Sequence, residues 1–389
     1  MNKIAKITFN ILILGVLTAC STSHELDIRV SQENYKHVAL PEDNKEEPFR
    51  FWANEQPDFL YDTELETSPL NVSGERLNIL ALSGGGANGA FGAGVILGLR
   101  DKGSLEDYSV ITGISAGALI APFVFSGEDE LDRLKEVMLD IDDSSVLGRK
   151  NFLNTLFKDS FAKGSKLMSF IKESYPDSMI DKIAVAHSEG RRLFIGTTHF
   201  DSGELMIWNI GAIANSSLPN KADLIHQVLA ASASIPGVFP PQFVEVYDGR
   251  NKLEELHVDG GLSAQVFFNP SNFDYSKISK SLGLNEAPQL HVIRNGLLTP
   301  QYKPVKDKGV DLLTKSLSSL TVLQAKGDMY RMKYFSEVGK IDMQFTYIDE
   351  DFSNEKLTRN MFDENYMRSI YLYGYQRAMT DQLWETELP

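Results

Sequence analysis

Leu77-Asn78-Ile79-Leu80-Ala81-Leu82-Ser83-Gly84-Gly85-Gly86-Ala87-Asn88-Gly89 and, one crossover later, Ser109-Val110-Ile111-Thr112-Gly113-Ile114-Ser115-Ala116-Gly117 decide how this chain reads. Each begins as a short apolar run and ends in small residues, which predicts strands at 77–82 and 109–112 closed by tight turns. The apolar periodicity of 90–101 and 116–125 predicts a helix after each turn. Strand and helix in alternation give an α/β fold, here a three-layer α/β/α arrangement around a mostly parallel sheet.

The two turns carry different chemistry. Successive glycines let several backbone N–H groups converge on one point, and the positive end of a helix follows, so Gly84, Gly85, Gly86 and Ala87 suit an oxyanion hole, with Asn88 and Gly89 completing the turn. Gly113-x-Ser115-x-Gly117 between strand and helix has the form of a nucleophile elbow, in which small flanking residues let Ser115 project. The glycines alone also fit a dinucleotide fingerprint. That fingerprint wants an acidic residue at the end of the second strand, which here ends in Thr112-Gly113-Ile114-Ser115. A phosphate-binding Walker loop needs a Lys-Ser or Lys-Thr pair after the glycines, and none follows.

An activated serine needs a base. None of the seven histidines, 24, 37, 187, 199, 226, 257 and 291, sits in an evident catalytic motif. His291 has the chain order of an α/β-hydrolase triad but lies in an apolar strand pattern, and His257 lies two residues before Asp259. Asp259-Gly260-Gly261 ends a strand pattern in a turn and exposes a carboxylate, although such a tripeptide is commonly a turn alone. A Ser-His-Asp esterase and a non-catalytic lipid-binding lipoprotein both stay open at this point.

Together the segments resemble the patatin-like phospholipase family. The resemblance rests on 84–89, on 113–117, on Asp259-Gly260-Gly261 and on Ala231-Ser232-Ala233-Ser234-Ile235-Pro236, in family order across about 77–263. It implies a lipid acyl hydrolase with a Ser115–Asp259 dyad, no histidine and no cofactor or metal, acting on phospholipids or other acyl esters. The family often has Arg or Lys where this chain has Asn88. That leaves oxyanion stabilisation to backbone amides, with the Asn88 side chain as a further candidate.

The N-terminus adds a second signal. Lys3 and Lys6 precede the apolar stretch 7–16, and Leu17-Thr18-Ala19-Cys20 follows, the pattern of a secretory signal. Its end resembles a bacterial lipobox, which implies cleavage before Cys20, a thioether-linked diacylglycerol on that residue and attachment to a membrane. Ser21 in place of Asp implies outer-membrane sorting. Cys20 is the only cysteine, so no disulfide competes for it. An ordinary signal peptide with an incidental cysteine is the other reading.

At 389 residues and 42% apolar composition the chain can bury a large core. Its net charge of −15, without a Lys/Arg-rich run, argues against a nucleic-acid partner. The expected organisation is a signal peptide at 1–19, a lipidated tether and wrapping segment at 20–74, and a catalytic domain at 75–389 with a C-terminal helical extension. Further strands are expected at 192–198, 204–209, 243–247, 255–258, 289–294 and 342–347, and helices at 128–141, 165–174, 179–187, 310–334 and 363–384. The apolar stretches 146–161 and 238–243 are candidate acyl-chain walls or lids.

Overall fold

Apolar runs that alternate little between polar and apolar residues form strands buried on both faces, and such strands make the centre of this protein. The computed structural model describes residues 26–43, 46–141, 161–268, 273–350, 352 and 361–389. Cys20, the expected signal segment 1–19 and most of the candidate lid stretch 146–161 lie outside the described residues.

The strands are β1 (Arg50–Trp52), β2 (Asn78–Leu82), β3 (Val110–Ile114), β4 (Arg192–His199), β5 (Glu204–Asn209), β6 (Gln242–Asp248), β7 (Asn251–Asp259), β8 (Gln289–Arg294) and β9 (Asp342–Tyr347). The helices are α1 (Gly89–Lys102), α2 (Ala116–Ser126), α3 (Glu128–Asp140), α4 (Phe161–Ser174), α5 (Asp177–Ser188), α6 (Ile210–Ala214), α7 (Lys221–Ser232), α8 (Tyr275–Ser281), α9 (Gly309–Val338) and α10 (Glu364–Met379). The sheet runs in the order β1-β5-β4-β3-β2-β8-β9. From β4 to β9 the neighbours are parallel, while β5 and β1 extend the other edge antiparallel. The expected α/β class with its mostly parallel central sheet is the observed one. Strand β1, helix α6, helix α7 and helix α8 are additions that the sequence reading lacked.

Alternate residues of each strand enter opposite cores. Leu80, Leu82, Ile111 and Ile195 face the layer of α1–α7 and α10, whereas Ile79, Ala81, Val110 and Phe194 face α8 and the C-terminal half of α9. The wrapping segment belongs to these layers: β1 pairs with β5, and Phe49 and Trp52 are buried.

Helices α1 and α10 approach closely enough to require glycine. A Cβ on Gly94 would lie 2.1 Å from the Tyr371 carbonyl oxygen, and one on Gly374 would lie 2.3 Å from the Phe91 carbonyl oxygen. Gly94→Val is therefore expected to destabilise the protein by about 3 kcal/mol, the cost of forcing a packed interface apart. A thermal melt of the variant against Gly327→Ala in α9, whose added Cβ meets open space, separates this clash from a general loss of glycine.

Sheet topology also positions the site. Strand β3 pairs with β4 as far as Ile114↔Gly196, and β7 pairs with the same edge of β4 beginning at Thr197↔Asp259. Two strands distant in sequence thus end head to head on consecutive residues of a third. Ser115, the next residue after β3, is brought to Asp259, the last residue of β7.

Candidate active site

Ser115 is forced into an unusual backbone conformation. Its φ is +53°, a left-handed value that side chains other than glycine rarely adopt. The flanking glycines make the turn possible: a Cβ on Gly113 would lie 2.6 Å from the Gly117 carbonyl oxygen, and one on Gly117 would lie 2.2 Å from that of Leu82. Ser115 caps the N-terminus of α2, so its hydroxyl stands at the positive end of a helix dipole.

Its Oγ donates to Asp259 Oδ2 at 2.7 Å. The second carboxylate oxygen, Oδ1, accepts from the Gly261 N–H at 2.7 Å. Both residues are buried, at 6% and 4% exposure. Burial pushes the Asp259 carboxyl up from 3.8 to about 6, against the opposing pull of the Ser115 and Gly261 hydrogen bonds.

The segment 231–236 braces both partners. Ser232 Oγ accepts from the Ser115 N–H at 3.0 Å and donates to the Gly196 carbonyl at 2.7 Å, while the Ser234 carbonyl accepts from the Asp259 N–H at 3.0 Å. Pro236 is exposed in the turn beyond. Ser232 and Ser234 are recognisable in sequence only as parts of this block, because the buried side of α7, which carries Ser232, includes the polar His226 and Ser232.

The oxyanion loop departs from expectation at Gly84. The Gly84 N–H donates to the Gln265 carbonyl at 2.9 Å, so this amide is engaged in holding the loop. Asn88 accepts at Oδ1 from the Tyr366 hydroxyl at 2.8 Å, which ties its side-chain carbonyl to α10. Gly85, Gly86 and Ala87 remain: no hydrogen bond among the described residues uses their N–H groups. Gly85 is irreplaceable on space alone, since a Cβ there would lie 2.2 Å from the Asn295 carbonyl oxygen.

A buried cation stands behind this loop. Arg294, at the end of β8 and 2% exposed, donates from Nη1 to the Gly84 carbonyl at 2.8 Å and to Ser83 Oγ at 3.3 Å. Ser83 Oγ donates to the same carbonyl at 2.7 Å. Asn295 joins the brace by donating from its side-chain amide to the Ser83 carbonyl and accepting from the Gly92 N–H. The sequence held a signal for this residue, an arginine closing an otherwise apolar strand.

The histidines are engaged elsewhere. His257 uses Nδ1 with Thr197 Oγ1 and Nε2 with Glu255, and His291 uses Nδ1 with the Tyr108 hydroxyl while its ring stacks on Trp384 at 4.1 Å. Burial lowers the His291 imidazole to about 4 and also lowers that of His257.

An apolar cleft of about 40 Å³ opens beside Ser115, lined by Gly86, Leu119, Met138, Phe170, Phe239 and Met367 among others. Phe239 comes from the stretch 238–243 read as a candidate acyl-chain wall. This volume holds little more than one water molecule.

Fold and site define a class: an α/β protein whose elbow serine is hydrogen-bonded to a carboxylate rather than an imidazole, beneath a loop of unengaged backbone amides. Residues 80–270 match the Patatin family model, described as patatin-like phospholipase, and form a domain of the patatin-like phospholipase family. Membership supports a lipid hydrolase activity. No curated protein matches the chain. Among solved structures it is similar to VipD from Legionella pneumophila, at 12% identity and a TM-score of 0.37, with 80% of this chain and 68% of that one covered. It is also similar to the type III effector ExoU, at 13% identity and a TM-score of 0.33, with coverages of 80% and 54%. For full-length ExoU in complex with SpcU, from the type III secretion system of Pseudomonas aeruginosa, the values are 16%, 0.28, 68% and 53%. The chain thus spans about half the length of the ExoU structures.

Proposed function

We propose that this protein is a membrane-anchored serine lipid acyl hydrolase using Ser115 as nucleophile and Asp259 as general base. The observation that carries the reading is the 2.7 Å hydrogen bond from the strained Ser115 to Asp259 Oδ2. In the proposed reaction Asp259 takes the hydroxyl proton as Ser115 Oγ attacks an ester carbonyl. The negative oxygen of the tetrahedral intermediate is held by the N–H groups of Gly85, Gly86 and Ala87. Asp259 returns the proton to the leaving alcohol or lysolipid, and water hydrolyses the acyl-enzyme by the same path. A carboxylate raised to about 6 is a stronger base than one in water, which narrows its gap to the serine hydroxyl.

Substrates are phospholipids, lysophospholipids or related acyl esters, on the support of the family and of the apolar cleft. The Leu17-Thr18-Ala19-Cys20 pattern supports lipidation at Cys20, and Ser21 after it supports residence in the outer membrane. The test is covalent. A fluorophosphonate incubated with the protein should add one phosphonyl group, mapped by mass spectrometry to Ser115, and Ser115→Ala should take up none. Labelling that survives Ser115→Ala would place the nucleophile elsewhere.

A further inference from the structure

Helix α9 has an apolar face that nothing among the described residues covers. Its C-terminal half is fixed by buried Ala325, Met329 and Met332, but Leu312, Leu313, Leu317, Leu320, Leu323, Tyr330, Tyr334 and Val338 are each 47–61% exposed. At 3.6 residues per turn these eight fall within an arc of about 140° on one side of a helix about 45 Å long. The buried residues lie on a different side, so the exposed stripe is not a slipped core face. An uncovered apolar stripe of this extent marks an interaction surface.

The charge around the stripe identifies the partner. Residues 301–326 contain five lysines and two aspartates, a local excess of three positive charges in a chain whose net charge is −15. Lys315, Lys326 and Lys333 share one flank of the stripe at the same helical pitch, and Lys303, Lys306 and Lys308 precede the helix. Apolar side chains bordered by lysines, with tyrosines along the same face, are the composition of a helix that lies in a bilayer interface. A second copy of α9 fits less well. A coiled-coil seam through Leu313, Leu320 and Leu323 would also contain Ser316, Gly327 and Glu337.

We propose that α9 docks this protein on the surface of an anionic lipid bilayer. The helix is joined to the candidate site: Gln324 donates to the Leu262 carbonyl, three residues beyond Asp259, and Gln265 donates to Gln324. Leu262 is itself exposed, so the docking face continues onto the turn beside the dyad. The consequence for catalysis rests on the lipid-hydrolase reading; the contact with lipid does not.

The test uses the full chain with Cys20→Ser, which removes its only cysteine, and Ser115→Ala, which prevents vesicle hydrolysis. Leu320→Cys, or Ser318→Cys on the opposite side of the helix, then carries an environment-sensitive dye. With phosphatidylglycerol–phosphatidylethanolamine vesicles the dye at 320 should shift to the blue and the dye at 318 should not; phosphatidylcholine vesicles should give no shift at either. No shift at 320, or equal shifts at both positions, would overturn the proposal. A shift at 320 that grows with protein concentration in the absence of lipid would assign the face to a second copy. In the otherwise native chain, Leu317→Glu with Leu320→Glu should lower hydrolysis of the anionic vesicles about tenfold and leave turnover of a soluble ester unchanged. Equal loss on both substrates would overturn the docking role. A native chain that turns over neither substrate would sink the hydrolase reading, while the dye result would still decide docking.

Discussion

Asp259→Asn should lower kcat/KM on a soluble ester roughly a thousandfold, as removal of a general base does, and should raise the melting temperature. The two effects have one source. Asp259 is buried beside Ser115, and burial raises its carboxyl to about 6. Below that pH the protonated carboxyl cannot accept the Ser115 proton, so kcat/KM of the native protein should fall about tenfold per pH unit beneath pH 6. Above it the ionised group is active but held in a medium that disfavours its charge. A raised folded-state value means that folding favours the protonated form. The associated stability is therefore present below the unfolded value of 3.8 and lost as pH rises through about 6. The full penalty is at most about 3 kcal/mol at 1.36 kcal/mol per pH unit. Asn carries no charge, so the melting temperature of the variant should exceed that of the native protein above pH 6, and the gap should close below pH 4. A variant with native activity would remove Asp259 from the reaction. A variant less stable at pH 8 would show that the hydrogen bonds from Ser115 and Gly261 outweigh the burial of charge.

The regular parts of this fold were legible where burial is uniform. Strands β5, β8 and β9 stand at the bounds read from sequence, β5 and β8 because almost every residue is buried and β9 because buried Met343 and Phe345 alternate with polar residues at the sheet edge. Strand β1 escaped because it has three residues, one of them Arg50, whose charge is taken up by Glu255 on β7. Helix α7 escaped because its buried side includes His226 and Ser232, which carry no apolar signal. The site was legible as four motifs but not as a geometry. Nothing in the local pattern of Ser115 or Asp259 says that β3 and β7 end on adjacent residues of β4; that is a long-range pairing, and only the order of the motifs hinted at it. The histidines show the converse. His257 and His291 had plausible chain positions, and each is instead held in the core, His257 by Thr197 and Glu255 and His291 through Nδ1 by Tyr108.

Arg294→Met should lower kcat about a hundredfold with little change in KM, the signature of losing oxyanion stabilisation. The reasoning runs through one peptide plane. Arg294 and Ser83 both hold the Gly84 carbonyl, and in a trans peptide the N–H of the next residue points the opposite way. Fixing that carbonyl therefore fixes the direction of the Gly85 N–H, and the buried guanidinium polarises the peptide so that this N–H becomes a stronger donor. Arg294 acts here as a positioning residue behind the loop. Asn88, where the family often places a cation, is tied to Tyr366. Burial lowers the guanidinium to about 10, so it stays charged at neutral pH. Methionine approximates its length without the donors, and Asp328, the nearby opposite charge, keeps Arg331 at 3.1 Å. The fold should consequently survive. Fluorophosphonate labelling of Ser115 should slow in step with kcat, because the phosphonyl oxygen occupies the same cradle. Arg294→Lys, which restores a donor and the charge, should recover part of both rates. A purely structural arginine would instead give a lower melting temperature with kcat unchanged in the folded fraction, and no advantage of lysine over methionine in the rate of labelling.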